Sequence, residues 1–387
     1  MSQLIGNYAR YPVYFERGEG SYLISGTGDR YIDFGSGISV INLGHSHPYV
    51  VEKLKEQTEK LWHTSNLYHN ELNEQLAERI SDATFGGKLF FCNSGAEANE
   101  AAIKLARIYN NKIHKGTKPR ILTMLNGFHG RTYATLSATA QEKVQHGFEP
   151  LAPFFTYLPY NDKAALRKEL AKGDVCAVML ELWQGESGVI PAEGAYVEEL
   201  AELAREAEAL VIFDEIQTGY GRTGSFFAYQ QGKVRPDIIT MAKAMANGLP
   251  MGAIEAAPEL AELFTPGTHG STFGGNLLAS AAAHAVLDIM LAPGFFDSVA
   301  DKGEAFRQML SAAFADYDVE IRGRGLLCAV ELPGENSAFI KQALEEKLLL
   351  VAGGKTAVRF YPPLTATLEE LACGVEKAYI AAKKVYG

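Results

Sequence analysis

The sequence predicts an α/β protein: a large domain with a mostly parallel central sheet flanked by helices, and a smaller α+β C-terminal domain. Three observations carry this expectation. The middle of the chain alternates short, almost wholly apolar runs with segments of helical periodicity, the pattern of parallel strands covered on both faces. After Asn276 the character changes, opening on the Ala-rich run LLASAAAHAVLDIML. At 387 residues the chain is long enough to bury two cores.

Residues 1–50 carry hairpin punctuation, RGEGSYLISGTGDRYIDF. Its Gly-Asp and Gly-Thr-Gly turns favour positive φ, and the segment is expected to pack with the small domain. Residues 51–275 form the expected large domain. Strands are predicted over 88–92, 121–125, 177–182, 210–214 and 238–241. Helices are predicted over 48–61, 96–109, 163–171 and 194–208. Ligands of such sheets bind outside the carboxyl ends of the strands. Residues 276–387 form the expected small domain: the Ala-rich helix, a second amphipathic helix, a strand pair in VEIRGRGLLCAVEL and a final helix.

The net charge is −10, from 36 basic and 46 acidic residues. That balance argues against nucleic-acid binding and against docking on anionic lipid. No run approaches the roughly 18 apolar residues of a membrane span. The N-terminus lacks a basic segment followed by an apolar stretch, so the cytoplasm is the expected compartment. The cysteines, Cys92, Cys176, Cys328 and Cys373, show no CxxC spacing. Cys176 and Cys328 sit in apolar runs, as buried thiols do.

The most informative pair is Asp214, closing the apolar run ALVIFDE, and Lys243, in IITMAKAMANGLPMGA. An acid ending a buried strand needs a partner. A lysine between Ala242 and Ala244, if desolvated, becomes a nucleophile toward carbonyls. Pyridoxal phosphate (PLP) uses both groups, a Schiff-base lysine and a carboxylate on its pyridinium nitrogen.

Other motifs admit a bland reading beside a functional one. In LFFCNSGAEANEAAIKLARIY a strand ends before Gly95-Ala96 opens a helix, and free N–H groups there suit a phosphate. Alone, this is an ordinary Ser cap with Glu97 as its partner. In LNGFHGRT, Phe128 suits stacking on a planar cofactor and Arg131 suits a carboxylate; alone, it is a turn. In IFDEIQTGYGRTG, Gln217 suits a phenolic oxygen, while Glu215 reads as structural. The same stretch holds a GxGxxG pattern over 219–224. A dinucleotide fingerprint needs its glycines directly between strand and helix, and here residues 215–218 intervene. GTHGSTFGGN suits anion binding but lacks a Walker ending. GHSHP has the spacing of a metal pair, yet no matching ligand set stands out, so a turn before a helix is expected and no metal. Glu181 and Glu186, in ELWQGESGVIP, and Arg359, in VRFYPPLT, offer a glutamate–arginine pair across a cleft or read as ordinary charges.

Taken in order, GHSHP, NSGAEANEAAIKLAR, GFHGRTYATLSAT, DEIQTGYGRTG and HGSTFGGN make the chain resemble the class III, fold-type I PLP-dependent aminotransferases from about Tyr11 onward. The resemblance implies that Lys243 forms the Schiff base and that Asp214 keeps the pyridine nitrogen protonated. It places Gln217 near the ring hydroxyl, Gly95 and Ala96 at the phosphate, and Phe128 on the ring. Thr272 would reach the phosphate of a partner subunit, which makes the expected assembly a homodimer with shared sites. Arg131 and Ser271 would contact an acylated amino-acid substrate, Arg359 an α-carboxylate, and Glu186 would gate Arg359. The implied reaction is a ping-pong transamination from N2-acetyl-L-ornithine to 2-oxoglutarate. It would yield N-acetyl-L-glutamate 5-semialdehyde and glutamate in arginine biosynthesis.

The chain departs from the usual family pattern at Leu182-Trp183, Ser187, Ala246-Asn247 and Leu277. None removes a catalytic group; they bear on the substrate. Related members use succinylornithine, ornithine, 4-aminobutyrate or carrier-linked aminoadipate semialdehyde. Ile38 stands where ornithine enzymes carry a tyrosine. Two other classes predict different behaviour. A nicotinamide-dependent Rossmann dehydrogenase on 219–224 would be colourless and indifferent to Lys243→Ala. A regulatory PLP-binding module would be yellow but inert to amines.

Overall fold

The computed structural model describes residues 3–387. Its central sheet has seven strands in the order Lys88–Cys92, Gly252–Ala256, Ile238–Met241, Leu210–Asp214, Val175–Leu180, Arg120–Met124, Phe155–Leu158. The Gly252–Ala256 strand runs antiparallel to both neighbours, and the remaining pairs are parallel.

Period-two alternation assigns each strand's side chains to opposite faces. Ile121, Ala177, Met179, Ile212, Ile238 and Ile254 pack with Ala98, Ala101, Ala102 and Leu105 of the Gly95–Ile113 helix. Leu122, Val178, Leu180, Val211, Phe213 and Ile239 point the other way, into a core shared with Leu200 and Ala204 of the Gly194–Glu206 helix. Both faces are therefore covered, as near-continuous apolar strands require.

The small sheet has the order Glu320–Arg324, Leu327–Glu331, Ala357–Phe360, Val351–Gly353, antiparallel throughout. Helices Phe295–Ala313, Asn336–Glu345 and Leu368–Tyr386 pack around it. Thr367 and Glu370 close a reciprocal cap on the last of these, satisfying two free N–H groups of its first turn. The hairpin strands near the N-terminus, Phe15–Glu19, Tyr22–Ser25 and Arg30–Asp33, are joined by Leu348–Leu349, which pairs parallel with Arg30–Asp33. The Leu277–Met290 helix packs on Pro48–Thr58 and Glu71–Asp82.

Some elements differ from expectation. Gly252–Ala256, GAIEA, has no apolar run and carries Glu255, which is fully buried, with Thr84 Oγ1 and Gly87 N donating to its Oε1. Phe155–Leu158 is an edge strand only partly buried. GHSHP is a turn: His45 Nε2 bonds Asp33 Oδ2 at 2.8 Å and His47 precedes the Pro48–Thr58 helix. Among the described residues no single helix is long and apolar enough to cross a membrane. Cys92, Cys176 and Cys328 are buried free thiols, and burial raises Cys176 to about 11.

The GxGxxG stretch is a run of turns leading to the short Ala228–Gln231 helix, with positive φ at Gly221 and Gly224. Glu215 fastens it by accepting from the N–H groups of Ala228 (3.0 Å) and Tyr229 (2.7 Å). No strand delivers these glycines into a helix, so the dinucleotide reading fails on geometry.

Candidate functional site

A cavity of about 410 Å³ opens at the carboxyl ends of the central strands. Gly95, Ala96, Phe128, Arg131, Glu186, Asp214, Gln217 and Lys243 all line it. Separate elements deliver them: a helix start, two strand-to-loop turns, a hairpin tip and the turn after Ile238–Met241.

Asp214 ends the Leu210–Asp214 strand and is 4 % exposed. Its Oδ2 accepts from Asn99 Nδ2 and His129 Nδ1, each at 2.8 Å, and its Oδ1 accepts from Ile216 N at 3.1 Å. Donors to both oxygens stabilise an ionised carboxylate in a buried site. Burial works against charge on His129, but the bond to Asp214 and its charge outweigh it, so the imidazole is held above its ordinary value. His129 Nε2 has no partner.

Lys243 follows the strand in a turn with φ +49°. Burial drives its amine down from 10.5 to about 8; Glu186, Asp214 and Glu181 pull it up, and Arg359 pushes it down. A fraction of neutral amine is therefore available near neutral pH. Asn247 closes the turn at φ +44°, a conformation asparagine tolerates. Its side chain accepts from Leu43 N at 2.9 Å and donates to Gly44 O at 3.0 Å, so the departure at Asn247 ties the lysine turn to the GHSHP segment.

The Gly95–Ile113 helix starts at the cavity. Ser94 Oγ accepts from Glu97 N, and Glu97 Oε2 accepts from Asn93 N. The cap and the phosphate site thus coexist: Gly95 and Ala96 face the cavity at the positive end of the helix dipole. A Cβ on Gly95 would lie 2.9 Å from Ile216. Ile216 and Phe128 both line the cavity, and Arg131 lies over the Phe128 ring at 5.6 Å. Phe128 N donates to Glu181 Oε2 at 2.9 Å; burial holds the Glu181 carboxyl above the usual carboxylate range.

Gln217 Oε1 accepts from Tyr361 Oη at 2.8 Å, which leaves its Nε2 as the free end. Gly185 lies so close that a Cβ there would overlap the Gln217 amide. The Trp183–Gln184/Ile190–Pro191 hairpin carries Glu186, whose Oε1 accepts from Arg359 Nη1 at 3.0 Å. Arg359 also donates from Nε to Ala352 O at 2.8 Å and is 2 % exposed. Ser187, another departure, donates to Asn126 O at 2.6 Å, tying this hairpin to the Phe128 loop.

Three predicted residues lie outside the lining: Arg359 reaches it through Glu186, and Ser271 and Thr272 stand further apart. Ser271 reaches the site indirectly, accepting from Asn93 Nδ2 at 3.2 Å. Thr272 is exposed and lines a separate recess with His63, Ser65 and Asn66. Sequence reasoning missed Asn99, His129, Ile216 and Tyr361 as site residues, and marked Glu181 only as a candidate partner for an arginine. Asn99, four positions beyond Gly95 on the same helix, was the most findable. Tyr361 was not, because its partner is distant in sequence.

The set fits PLP on its own terms. A buried acid held by two side-chain donors, a helix N-terminus, an aromatic wall and a desolvated lysine surround one cavity. Comparison with known proteins agrees. The family model for class III aminotransferases matches residues 6–380. Acetylornithine aminotransferase of Bacillus subtilis is 45% identical over 379 residues, 97% of either chain. That of Caldanaerobacter subterraneus is 47% identical over 371 residues, 95% of this chain and 94% of the relative. Among solved structures, N-acetylornithine aminotransferase from Stenotrophomonas maltophilia is 36% identical with a TM-score of 0.86, covering 98% and 97%. Ornithine aminotransferase from Toxoplasma gondii is 31% identical with a TM-score of 0.95, covering 99% and 93%. With motif order, site geometry and these likenesses in agreement, the chain belongs to the class III aminotransferases and depends on PLP.

Proposed function

We propose that the protein transfers the δ-amino group of N2-acetyl-L-ornithine to 2-oxoglutarate, giving N-acetyl-L-glutamate 5-semialdehyde and L-glutamate, in cytoplasmic arginine biosynthesis. The observation that carries this reading is the contrast between two arginines. Arg131 is exposed at the cavity, whereas Arg359 is latched by Glu186 at 3.0 Å. A donor with one carboxylate and a distant amine needs only Arg131. A five-carbon diacid needs both. A latch that opens for one substrate lets a single cavity serve the two. The curated relatives that are 44–47% identical over nearly the whole chain are acetylornithine aminotransferases, which favours the acylated donor.

Bound PLP supplies an electron sink for the carbanion formed at the amine-bearing carbon. Asp214, its carboxylate fixed by Asn99 and His129, would hold the ring nitrogen. Gln217 Nε2 would donate to the ring oxygen, Phe128 and Ile216 would contact the ring, and the N–H groups of Gly95 and Ala96 would hold the phosphate. Lys243 would anchor the cofactor, and its Nζ would take the proton from the substrate carbon. Glu186 swings from Arg359 when the diacid arrives.

A homodimer is part of the reading. Leu61, Trp62, Leu67, Tyr68 and Phe273 expose large apolar surfaces near Thr272, and contiguous exposed apolar area marks an interaction surface. There Thr272 would serve the partner's phosphate site.

The visible spectrum tests the proposal. N-acetylornithine should bleach the yellow band of the PLP-loaded protein, and 2-oxoglutarate should restore it. Bleaching by a different amine, with none by N-acetylornithine, would replace the substrate.

A further inference from the structure

Tyr361 is buried at the junction of the two sheets and has no role in the reading above. It directly follows the Ala357–Phe360 strand of the small sheet, and its hydroxyl crosses to Gln217, in the loop after Leu210–Asp214. Arg359 Nη1 lies 3.3 Å from the same hydroxyl. An arginine has only donors, so Tyr361 must accept from Arg359 and send its own proton to Gln217 Oε1, 2.8 Å away. The Gln217 amide is then fixed with Nε2 toward the cavity. All three groups donate in one direction, an arrangement in which each bond polarises the next. The ring is held in place by Val189, Leu327 and Ala329, with the departure residue Trp183 against that cluster, and Arg222 lies 5.8 Å from its centroid.

We propose that Tyr361 is a positioning residue with two tasks. It fixes the Gln217 amide so that an N–H faces the cofactor's ring oxygen, and it keeps Arg359 aimed at the cavity when Glu186 lets go. When Glu186 leaves, Arg359 retains Tyr361 Oη and Ala352 O as anchors. The guanidinium therefore meets an incoming α-carboxylate already oriented, with less side-chain freedom to lose. The inference rests on the assignment of Arg359 to the α-carboxylate and of Gln217 to the ring oxygen.

Tyr361→Phe removes only the hydroxyl. A donor on the ring oxygen stabilises its anionic form and lowers the pH midpoint of the bound cofactor's visible absorbance change. In the variant that midpoint should rise by about half a pH unit or more. The KM for 2-oxoglutarate should rise about tenfold, while the KM for N-acetylornithine stays within about twofold of the parent. An unmoved midpoint, or equal KM changes for both substrates, overturns the proposal. Arg359→Lys, measured alongside, separates the two failures. If it raises the 2-oxoglutarate KM and Tyr361→Phe does not, the arginine assignment stands and the Tyr361 proposal falls. If it leaves that KM unchanged, the assignment itself is wrong and the proposal falls with it.

Discussion

His129 Nδ1 donates to Asp214 Oδ2 at 2.8 Å, and neither side chain is more than 4 % exposed. The imidazole shares that oxygen with Asn99, so the acid is held from two directions. Asp214→Asn keeps the volume but removes the charge. Turnover should drop on the order of a hundred- to thousandfold. His129→Gln should cost less, about tenfold. Rapid-mixing absorbance of the half-reaction with N-acetylornithine reads both. An Asp214→Asn variant within tenfold of the parent would remove the ring nitrogen from the account.

Glu186→Gln weakens the bond that latches Arg359. Its loss frees the guanidinium for α-carboxylates. The ratio of kcat/KM for glutamate to that for N-acetylornithine should rise about tenfold, as expected for one charged hydrogen bond. Unchanged relative rates would mean Glu186 does not gate.

Lys243 is depressed to about 8 by burial against an ordinary 10.5. Only the neutral amine attacks an aldehyde. The rate at which cofactor-free protein takes up PLP should therefore climb with pH and level off above about 8. A climb that continues toward 10 would show that the amine is fully hydrated. Lys243→Ala should leave no yellow band after dialysis.

Glu255 is raised by burial from 4.5 to about 7. Unfolded chain releases that proton near 4.5, so between those values the folded state holds more protons. Its contribution to stability is thus complete at low pH and disappears as pH rises through 7. Glu215 shifts alike. Glu255→Gln should flatten part of the decline in Tm between pH 5 and pH 8, by a few degrees. Parallel Tm curves for variant and parent would show the carboxyl to be ionised throughout.

Much of the fold was legible because apolar strands and capped helices are local signals. Leu210–Asp214 and Ile238–Met241 follow directly from their apolar runs. The antiparallel strand Gly252–Ala256 was not legible, because Glu255 breaks its pattern and the donors to its Oε1 lie far away in sequence. The site divides in the same way. Asp214 and Lys243 are marked by charge in an apolar context, whereas Tyr361 draws its meaning from Gln217 and Arg359, contacts that only tertiary structure creates. Ser187 and Asn247, legible merely as departures, prove to be ties between loops.

The parallel pairing of Arg30–Asp33 with Leu348–Leu349 has a kinetic meaning. Its two halves leave the ribosome at nearly opposite times. The first hairpin must wait, with one edge unpaired, while almost the whole protein is synthesised, and an open strand edge invites foreign pairing. Closing that sheet is a late event with a large loop-entropy cost. Deleting the Leu348–Leu349 strand would release an element at the far end of the chain.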